Sequence, residues 1–252
     1  MTRGRYTHSG HLYLIGVGPG APDLLTVRAA ETIRECDVLI APRSSVSEES
    51  LALQVVAHLV DWQEVIEQIY PMERDQRKTE ECWARVADLI VERCSRGQRV
   101  GHLTIGDPLL YSTAGYLMEQ VASRMAAEHW HIVPGVSAFQ ISAALLQQQL
   151  TRQNDRLLLM PATDLCEVER ALGHCETLVL YKVGRQLKAL TELLERRGLA
   201  DHAQLVCHAG HKGKERILRG LASLTDKKIG YMSTVIVSIG NRDWSAASDE
   251  EK

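Results

Sequence analysis

An aspartate at the end of an apolar run is the side chain best placed to do chemistry in this sequence. The run Val100–Ile105 stops at Gly106-Asp107-Pro108, and a helical pattern resumes at Ser112. This order predicts a strand, a tight loop and a helix, and open α/β sheets bind ligands at that end of their strands. Pro108 lacks an N–H and biases Asp107 towards extended geometry, which holds the carboxylate over the loop. The alternative is an ordinary turn aspartate that bonds its own backbone.

Two further segments place glycine and proline directly after an apolar run. In the first, Leu12–Gly20, the glycines nearly follow the dinucleotide-binding pattern Gly-x-Gly-x-x-Gly, but the third falls one residue early. Pro19 also removes an N–H that a pyrophosphate would use, which argues against a dinucleotide. The loop is still compact enough for a flat group to approach its backbone closely. The second segment, Ile132–Gln140, predicts a strand that ends in a Pro-Gly turn before a helix.

At these three sites the chain resembles the tetrapyrrole methylases, which are S-adenosylmethionine-dependent methyltransferases of cobalamin and sirohaem biosynthesis. The family's opening signature matches Val17–Thr26, its middle signature is Gly-Asp-Pro followed by a tyrosine, and its third matches Val133–Ser137. The extended middle pattern, Leu103–Leu117, is similar to the branch that methylates C20 of precorrin-2 or cobalt-factor II. Later segments agree with that branch: Leu158–Ala162, Lys182–Arg185 and Ser233–Val237.

The resemblance implies two α/β domains, residues 11–136 and 137–243, with S-adenosylmethionine in the cleft between them. The positions that match the family's cofactor contacts are Pro19, Ile105, Gly106, Asp107, Ser137, Ala138, Val183 and Thr234. Several of these would act through backbone groups, which explains why Val183 can be an apolar residue. A homodimer is expected on the same ground.

Asp107 and Tyr111 are the predicted catalytic residues. Methyl transfer from a sulfonium requires positioning of two reactants and no nucleophilic side chain. Asp107 would bind polar groups of the cofactor, stabilise the developing cation of the macrocycle, or accept the proton that the substrate loses. Tyr111 either reaches the same site or packs as a half-buried side chain. Ser112 and Thr113 are predicted to cap the following helix. Because Asp107 lies in a loop, Asp107→Asn is expected to leave thermal stability nearly unchanged.

Cationic side chains near strand ends are the candidates for binding the carboxylates of a tetrapyrrole, since the guanidinium fork matches a carboxylate in bidentate fashion. Arg43 and Arg185 are favoured because each follows a predicted strand end. The other candidates are Arg74, Arg77, Lys78 and Lys182. The charge-rich segment Met72–Thr79 predicts a loop, which serves either as a lid or as a solvated surface.

Composition narrows the classes of partner and compartment. A chain of 252 residues with a net charge of -3 has no basic field, which argues against nucleic acid as a partner. No apolar run is long enough to cross a bilayer and no signal peptide is visible, so a cytoplasmic protein is expected.

The six cysteines form no Cys-x-x-Cys pair and are predicted to be buried or semi-buried small side chains. His208 and His211, next to Cys207, lack the pattern of a metal site, and no metal is predicted.

Apolar strands alternate with amphipathic helices, which predicts a mostly parallel sheet with helices on both faces. The predicted strands are Leu12–Val17, Asp37–Ala41, Val65–Tyr70, Arg99–Thr104, His129–Val133, Arg156–Pro161, Thr177–Lys182, Gln204–Ala209 and Thr234–Ile239. The predicted helices are Thr26–Glu35, Glu49–Val60, Thr79–Ser95, Ser112–Ala127, Ser137–Gln147, Asp164–Leu172 and Gln186–Arg197, with Gly97 and Gly198 suited to end two of them. No linker separates the halves, so the residues alone also allow one larger sheet.

Three functions stay open at this point. The first is methylation of C20 on precorrin-2 or its cobalt complex. The second is another methylase of the same fold, acting elsewhere on a tetrapyrrole or on diphthine intermediates, and the tyrosine pattern up to Leu117 argues against it. The third is a nucleotide-sensing module without catalysis, which would bind S-adenosylmethionine and release it unchanged.

Overall fold

The computed structural model describes residues 10–43, 45, 49–70, 76–223 and 232–240, with residues 76–78 and 223 described by their backbone alone. The chain divides into two compact units, Met1–Ser137 and Ala138–Lys252. Each unit contains its own sheet, so the single larger sheet that the sequence also allowed is absent from the described residues. The α/β fold class expected from the sequence is confirmed.

The sheet of the first unit is parallel throughout its described strands. These strands are β1 (His11–Gly16), β2 (Val38–Arg43), β3 (Glu64–Ile69), β4 (Arg99–Thr104) and β5 (Trp130–Val133), in the spatial order β3-β2-β4-β1-β5. The helices are α1 (Val27–Glu35), α2 (Leu51–Val56), α3 (Gln76–Ser95) and α4 (Ala114–Ala122). Because the strands run the same way, their carboxyl ends lie along one edge of the sheet.

The sheet of the second unit is mostly antiparallel, which corrects the prediction of a mostly parallel sheet for this half. Its described strands are β6 (Leu157–Pro161), β7 (Thr177–Tyr181), β8 (Ala203–Cys207), β9 (Arg216–Arg219) and β10 (Ser233–Ser238), in the order β6-β7-β10-β8-β9. Among these strands, only β6 and β7 pair in parallel, and β10 runs antiparallel to both neighbours. The helices are α5 (Ala138–Leu146), α6 (Leu165–Ala171) and α7 (Leu187–Arg196). A buried apolar run reports burial on both faces of a strand but carries no information about its direction.

Helices cover both faces of each sheet, as predicted. In the first unit, α3 and α4 pack against one face through residues such as Val86 and Leu117, and α1 and α2 cover the other through residues such as Ile33. In the second unit, α6 and α7 cover one face and α5 the other. The buried faces hold each sheet in place, so the loops at the strand ends start from rigid supports.

Several predicted helix ends are confirmed by their capping groups. Thr26 caps α1 by accepting a hydrogen bond from a backbone N–H at 3.1 Å, and Asp164 caps α6 in the same way at 2.9 and 3.3 Å. Gly97 and Gly198 follow the last turns of α3 and α7 with φ of +84° and +67°. The left-handed conformation at these two positions favours glycine, as the sequence indicates.

Other boundaries differ from the prediction. Helix α3 begins at Gln76, so the second half of the predicted loop Met72–Thr79 is helical, and its first half lies outside the described residues. Helix α4 ends at Ala122, five residues before the predicted end. The segment predicted as helix Glu49–Val60 is α2 followed by a short 3-10 turn. Strand β9 was not predicted, because its charged residues hide the alternation expected of a strand.

Candidate functional site

The three motif loops of the first unit meet at the carboxyl ends of β1, β4 and β5. The backbone of Gly18 exchanges two hydrogen bonds with that of Gly106, at 2.7 and 3.3 Å. The N–H of Val17 donates to the carbonyl of Thr104 at 2.8 Å, which extends the contact back into the strands. Segments that are some ninety residues apart in sequence are therefore held together by main-chain bonds.

Glycine is required where these loops touch. A Cβ on Gly16 would stand 2.6 Å from the carbonyl oxygen of Gly106, and one on Gly135 would stand 2.2 Å from the same atom. Such distances are far inside van der Waals contact, so neither position accepts a side chain. The sequence analysis predicted that a flat group could approach the backbone of the first loop, and at Gly16 this prediction is wrong. The groups that approach there are the backbones of the two neighbouring loops.

Gly106 differs from these two glycines. Its φ is +75°, and a Cβ built on it would meet no atom of the described structure within 4 Å apart from those of its chain neighbours. Open space therefore lies next to its Cα, although the residue itself is buried. This is a place where a ligand can approach the main chain of the loop that follows β4, beside Ile105, Asp107 and the adjoining loop residue Pro19.

The Asp107 carboxylate joins two of the loops. Its Oδ1 accepts a hydrogen bond from the N–H of Leu109 at 2.8 Å, which is the turn geometry that the sequence offered as an alternative. Its Oδ2 accepts from the N–H of Gly135 at 3.0 Å. Both oxygens are therefore bound to backbone donors of the first unit. Asp107 holds the loop after β4 against the loop after β5.

Tyr111 lies four residues beyond Asp107 and has an unusual backbone. Its φ is +49°, and its side chain is exposed to 46%. A bulky residue in the left-handed region is uncommon and marks either a turn or a functional constraint. Partial burial raises the pKa of its phenol, so the side chain is a neutral hydrogen-bonding group.

The start of α4 agrees in part with the prediction of its capping residues. Ser112 Oγ accepts a hydrogen bond from the N–H of Ala114 at 3.0 Å and lies 3.3 Å from the hydroxyl of Thr104. Thr113 occupies the cap position itself but makes no side-chain capping bond, so its predicted role is wrong. The serine therefore links the helix start to the end of β4.

In the second unit, three predicted cofactor positions lie around one tyrosine. Thr234 pairs with Tyr181 across β10 and β7, and Val183 follows two residues after Tyr181. The Tyr181 hydroxyl accepts a hydrogen bond from the N–H of Phe139 at 3.2 Å, next to Ala138 at the start of α5. Thr234 and Val183 are buried. Tyr181 was missed in the sequence, where a tyrosine ending an apolar strand has no distinguishing neighbour.

The predicted cofactor positions thus fall into two groups. Pro19, Ile105, Gly106 and Asp107 belong to the first unit, together with Ser137, the buried last residue of that unit. Ala138, Val183 and Thr234 belong to the second.

The cationic candidates differ in their surroundings. The Arg43 guanidinium lies 2.7 Å from the Glu67 carboxylate on the neighbouring strand, so part of its charge is already matched within the protein. Arg185 is exposed, and so is Lys182, whose φ is +57°. Arg77 and Lys78 lie in the first turn of α3, and Arg74 lies outside the described residues.

The cysteines and histidines of the described chain show no arrangement suited to a metal. Among the residues with described positions, no group of three or more His, Cys, Asp or Glu side chains could hold a metal ion. The rings of His208 and His211 meet edge to face at 6.0 Å, and Cys207 accepts a hydrogen bond from Ser233. Five of the six cysteines are buried as predicted, but Cys166 is exposed. Burial raises the pKa of the Cys36 and Cys94 thiols to about 12.

A buried pair of polar side chains in the first unit was not identified from the sequence. His102 on β4 is fully buried, and its Nε2 lies 2.9 Å from the hydroxyl of Tyr70. Burial lowers the pKa of His102 to about 4, so the imidazole is neutral. Burial also raises the pKa of the Tyr70 phenol, so two neutral groups share this hydrogen bond. The sequence signal that could have revealed this pair is the position of His102 within an otherwise apolar strand.

None of the helices described in the structure has the length and apolar character needed to span a bilayer.

Comparison with known proteins gives consistent matches along the chain. The family model of the tetrapyrrole (corrin/porphyrin) methylases matches residues 11–225. The cobalt-precorrin-2 C(20)-methyltransferase of Salmonella typhimurium is 34% identical over 242 residues, which cover 95% of this chain and 99% of that protein. The precorrin-4 C(11)-methyltransferase of Rhodococcus erythropolis is 30% identical over 242 residues, with 91% and 90% covered.

A solved structure shares the fold. It is that of uroporphyrin-III C-methyl transferase from Thermus thermophilus, complexed with S-adenyl homocysteine. The TM-score is 0.62 at 19% identity, with 91% of this chain and 97% of that chain covered.

Proposed function

Because this chain belongs to the tetrapyrrole (corrin/porphyrin) methylases, we propose that it transfers a methyl group from S-adenosylmethionine to C20 of precorrin-2 or of its cobalt complex. The observation that carries the proposal is the meeting of the three signature loops at one edge of the first sheet, with open space beside Gly106. The assignment to C20 rests on the motif Leu103–Leu117 and on the Salmonella relative, whose name specifies that carbon.

The loops could bind S-adenosylmethionine through their main chain. An adenosyl group and an amino-acid group offer polar atoms that backbone N–H and C=O groups can match, and there is open space beside the Cα of Gly106, whose own N–H and C=O are bonded to Gly18. The loop residues Pro19, Ile105 and Gly106 would hold the cofactor in the first domain, and Ala138, Val183 and Thr234 would hold it in the second. The two domains are proposed to span residues 11–136 and 137–243. The Thermus neighbour, solved with S-adenyl homocysteine, supports the same cofactor.

When bound, S-adenosylmethionine would supply an electrophilic methyl group that bonds to C20 while the C–S electron pair stays with sulfur, and the proton that C20 loses would pass to water or to a carboxylate. The protein's contribution is to hold the two reactants in line, which lowers a barrier by about 7–11 kcal/mol in well-oriented systems. Asp107 is proposed as a positioning residue, since both of its oxygens fix backbone loops. Tyr111 would face the substrate with a protonated hydroxyl. The side chains Arg43 and Arg185 would bind carboxylates of the macrocycle.

Two further parts of the proposal concern assembly and compartment. We propose a homodimer in the cytoplasm, with a tetrapyrrole as the small-molecule partner and neither nucleic acid nor membrane involved. Light scattering on the purified protein measures its molar mass and so tests the homodimer. A molar mass of one chain at all concentrations would contradict the dimer.

Regiochemistry is the direct test of the function. The protein is incubated with methyl-labelled S-adenosylmethionine and either precorrin-2 or cobalt-factor II, and carbon NMR locates the label. Label on C20 is the expected result, and the ratio of the two rates identifies the preferred form of the substrate. Label on C11 would favour the second candidate function, which the Rhodococcus relative supports by its name. If no S-adenosylhomocysteine forms with any tetrapyrrole, the third candidate function, a binding module without catalysis, would be favoured.

A further inference from the structure

Three exposed apolar side chains lie close together in sequence just after the Gly106-Asp107-Pro108 loop. They are Leu109, Tyr111 and Tyr116, exposed to 63, 46 and 60%, and we call them the tyrosine platform. Large apolar side chains with this exposure are few among the residues with described positions. Three such side chains within eight residues of sequence make this segment a candidate for binding an apolar ligand.

Tyr116 is held in place from behind by two buried aromatic rings. It stacks on Trp83 of α3 with ring centroids 6.0 Å apart and an interplanar angle of 27°. Trp83 in turn stacks on Tyr70 at 4.1 Å and 15°, and both of these rings are nearly fully buried. The hydroxyl of Tyr70 is anchored on His102. One face of Tyr116 is therefore fixed on a rigid aromatic stack, while much of the side chain faces outward.

The side chains of the platform suit a flat apolar ligand. The segment from Pro108 to Met118 contains no Asp, Glu, Lys or Arg, so it offers no charged partner to an acidic or basic group. Exposed tyrosine rings bind flat conjugated rings by stacking. Tyr111 presents its ring from a left-handed backbone, a conformation that bulky residues adopt rarely and that clusters at ligand sites.

The size and place of the platform favour a small ligand over a second protein. Three side chains of one short segment are far fewer than the about 20–30 residues that each partner contributes to a standard protein interface. The platform also follows directly on β4, at the sheet edge where α/β domains bind their ligands. A protein docked on this surface alone would have too little area for a stable complex.

We propose that the tyrosine platform receives one face of the tetrapyrrole macrocycle and that Tyr116 determines the affinity for it. This inference rests on the proposed function, because the macrocycle is the flat ring of that substrate. The neutral platform binds the ring itself, and the carboxylates at its rim remain for the cationic side chains elsewhere. Tyr116 acts on the substrate alone, so the binding of S-adenosylmethionine does not depend on it.

The test compares Tyr116→Ala and Tyr116→Phe with the control Trp62→Ala. Trp62 is exposed to 59%, almost as much as Tyr116, but it precedes β3 and so lies at the opposite end of the strands. Each protein, saturated with S-adenosylhomocysteine so that no turnover occurs, is titrated with cobalt-factor II and with precorrin-2. Separate calorimetric titrations measure the affinity for S-adenosylhomocysteine.

Tyr116→Ala is expected to weaken tetrapyrrole binding about tenfold, which corresponds to about 1.4 kcal/mol. Tyr116→Phe, which keeps the ring, and Trp62→Ala should stay within about twofold of the wild type. The affinity for S-adenosylhomocysteine should not change in any of them. Tyr116→Leu serves as a second variant if Tyr116→Ala is unstable, because it keeps apolar volume over Trp83 but removes the ring.

Unchanged tetrapyrrole affinity in both Tyr116→Ala and Tyr116→Leu would overturn the inference. The inference would also be overturned if these variants kept their tetrapyrrole affinity but had the molar mass of a single chain while the wild type is a dimer. That result would identify the platform as a subunit contact. Failure of the proposed function is seen separately, as a wild-type protein that binds and methylates no tetrapyrrole.

Discussion

The Oδ2 atom of Asp107 accepts a hydrogen bond at 3.0 Å from the backbone N–H of Gly135, a residue 28 positions further along the chain. Its Oδ1 atom accepts a second bond from Leu109. One carboxylate thus connects the loops after β4 and β5. A side chain that the sequence marks as the centre of the chemistry is, in the folded protein, also a structural connection.

Asp107→Asn is therefore expected to lower the free energy of unfolding, in contrast to the expectation from the sequence. An asparagine has one acceptor oxygen, so one of the two backbone N–H groups would face an NH₂ group. The loss of a charged acceptor and the mismatch cost about 1–2 kcal/mol. Chemical denaturation measures the effect, and Asp23→Asn, at an exposed aspartate of the signature Val17–Thr26, is the control. Equal stability of Asp107→Asn and wild type would return Asp107 to a role in chemistry alone.

The kinetics of Asp107→Asn distinguish its possible roles. If the carboxylate only positions the loops, kcat and the KM for S-adenosylmethionine should both change, because the geometry of both reactants is disturbed. Loss of kcat alone, with KM and stability retained, would instead indicate proton transfer or stabilisation of the cation. Initial rates at saturating and limiting cofactor separate these cases.

Gly135→Ala should destabilise the first domain severely. Its Cβ would stand 2.2 Å from the Gly106 carbonyl oxygen, and backbone atoms cannot move aside as a side-chain tip can. The expected cost is about 3 kcal/mol. Gly115→Ala is the matched control, because a Cβ there meets nothing within 4 Å and the residue lies in α4. That change should be neutral or stabilise by up to about 1 kcal/mol. Thermal melts of both variants measure the difference, and similar melting temperatures would contradict the packing argument.

Stability should fall as the pH is lowered from 6.5 to 5 because of His102. Its folded pKa is about 4, below the ordinary value of 6.5, so in this range the unfolded chain binds a proton that the folded chain excludes. The stability from the neutral imidazole is fully present above pH 6.5 and is lost progressively towards pH 4. The loss between pH 6.5 and 5 is about 1.5 kcal/mol.

His102→Gln tests this assignment, because glutamine still offers Tyr70 a hydrogen-bond partner and does not titrate. The variant should show a shallower slope of unfolding free energy against pH over the same range. A smaller slope remains, since burial together with His11 and Arg99 also lowers the pKa of His131. An unchanged slope in His102→Gln would show that His102 is not the group responsible.

Tyr181→Phe probes the residues gathered in the second unit. Removing the hydroxyl leaves the N–H of Phe139 without this acceptor, which should cost about 1 kcal/mol of stability. If the start of α5 holds the cofactor as proposed, the KM for S-adenosylmethionine should rise severalfold. Thr177→Val is the control, because it removes a hydrogen bond to Leu150 at the other end of β7 and should leave KM unchanged. An equal effect of both variants on KM would assign Tyr181 a structural role only.

Local signals predicted most elements of the fold. Thr26 and Asp164 cap the helices that they were expected to begin, and Gly97 and Gly198 end theirs. Capping and left-handed turns depend on residues a few positions apart, so a single sequence contains them. Strand direction in the second sheet was not accessible in this way. It depends on which strands become neighbours, and that is settled by packing across the whole domain.

The sequence by itself determined the family of this protein, the loops that carry its signatures and the sheet edge at which those loops lie. Motif residues have fixed positions in the chain, and parallel strands bring their carboxyl ends to one edge. The tertiary structure alone decided what the residues in those loops contact. Gly16 and Gly135 make room for neighbouring backbones, Asp107 binds Gly135, and Tyr116 stacks on Trp83. Each of these contacts joins residues about thirty to one hundred and twenty positions apart. Such pairings follow from the packing of strands and helices, which no local pattern encodes.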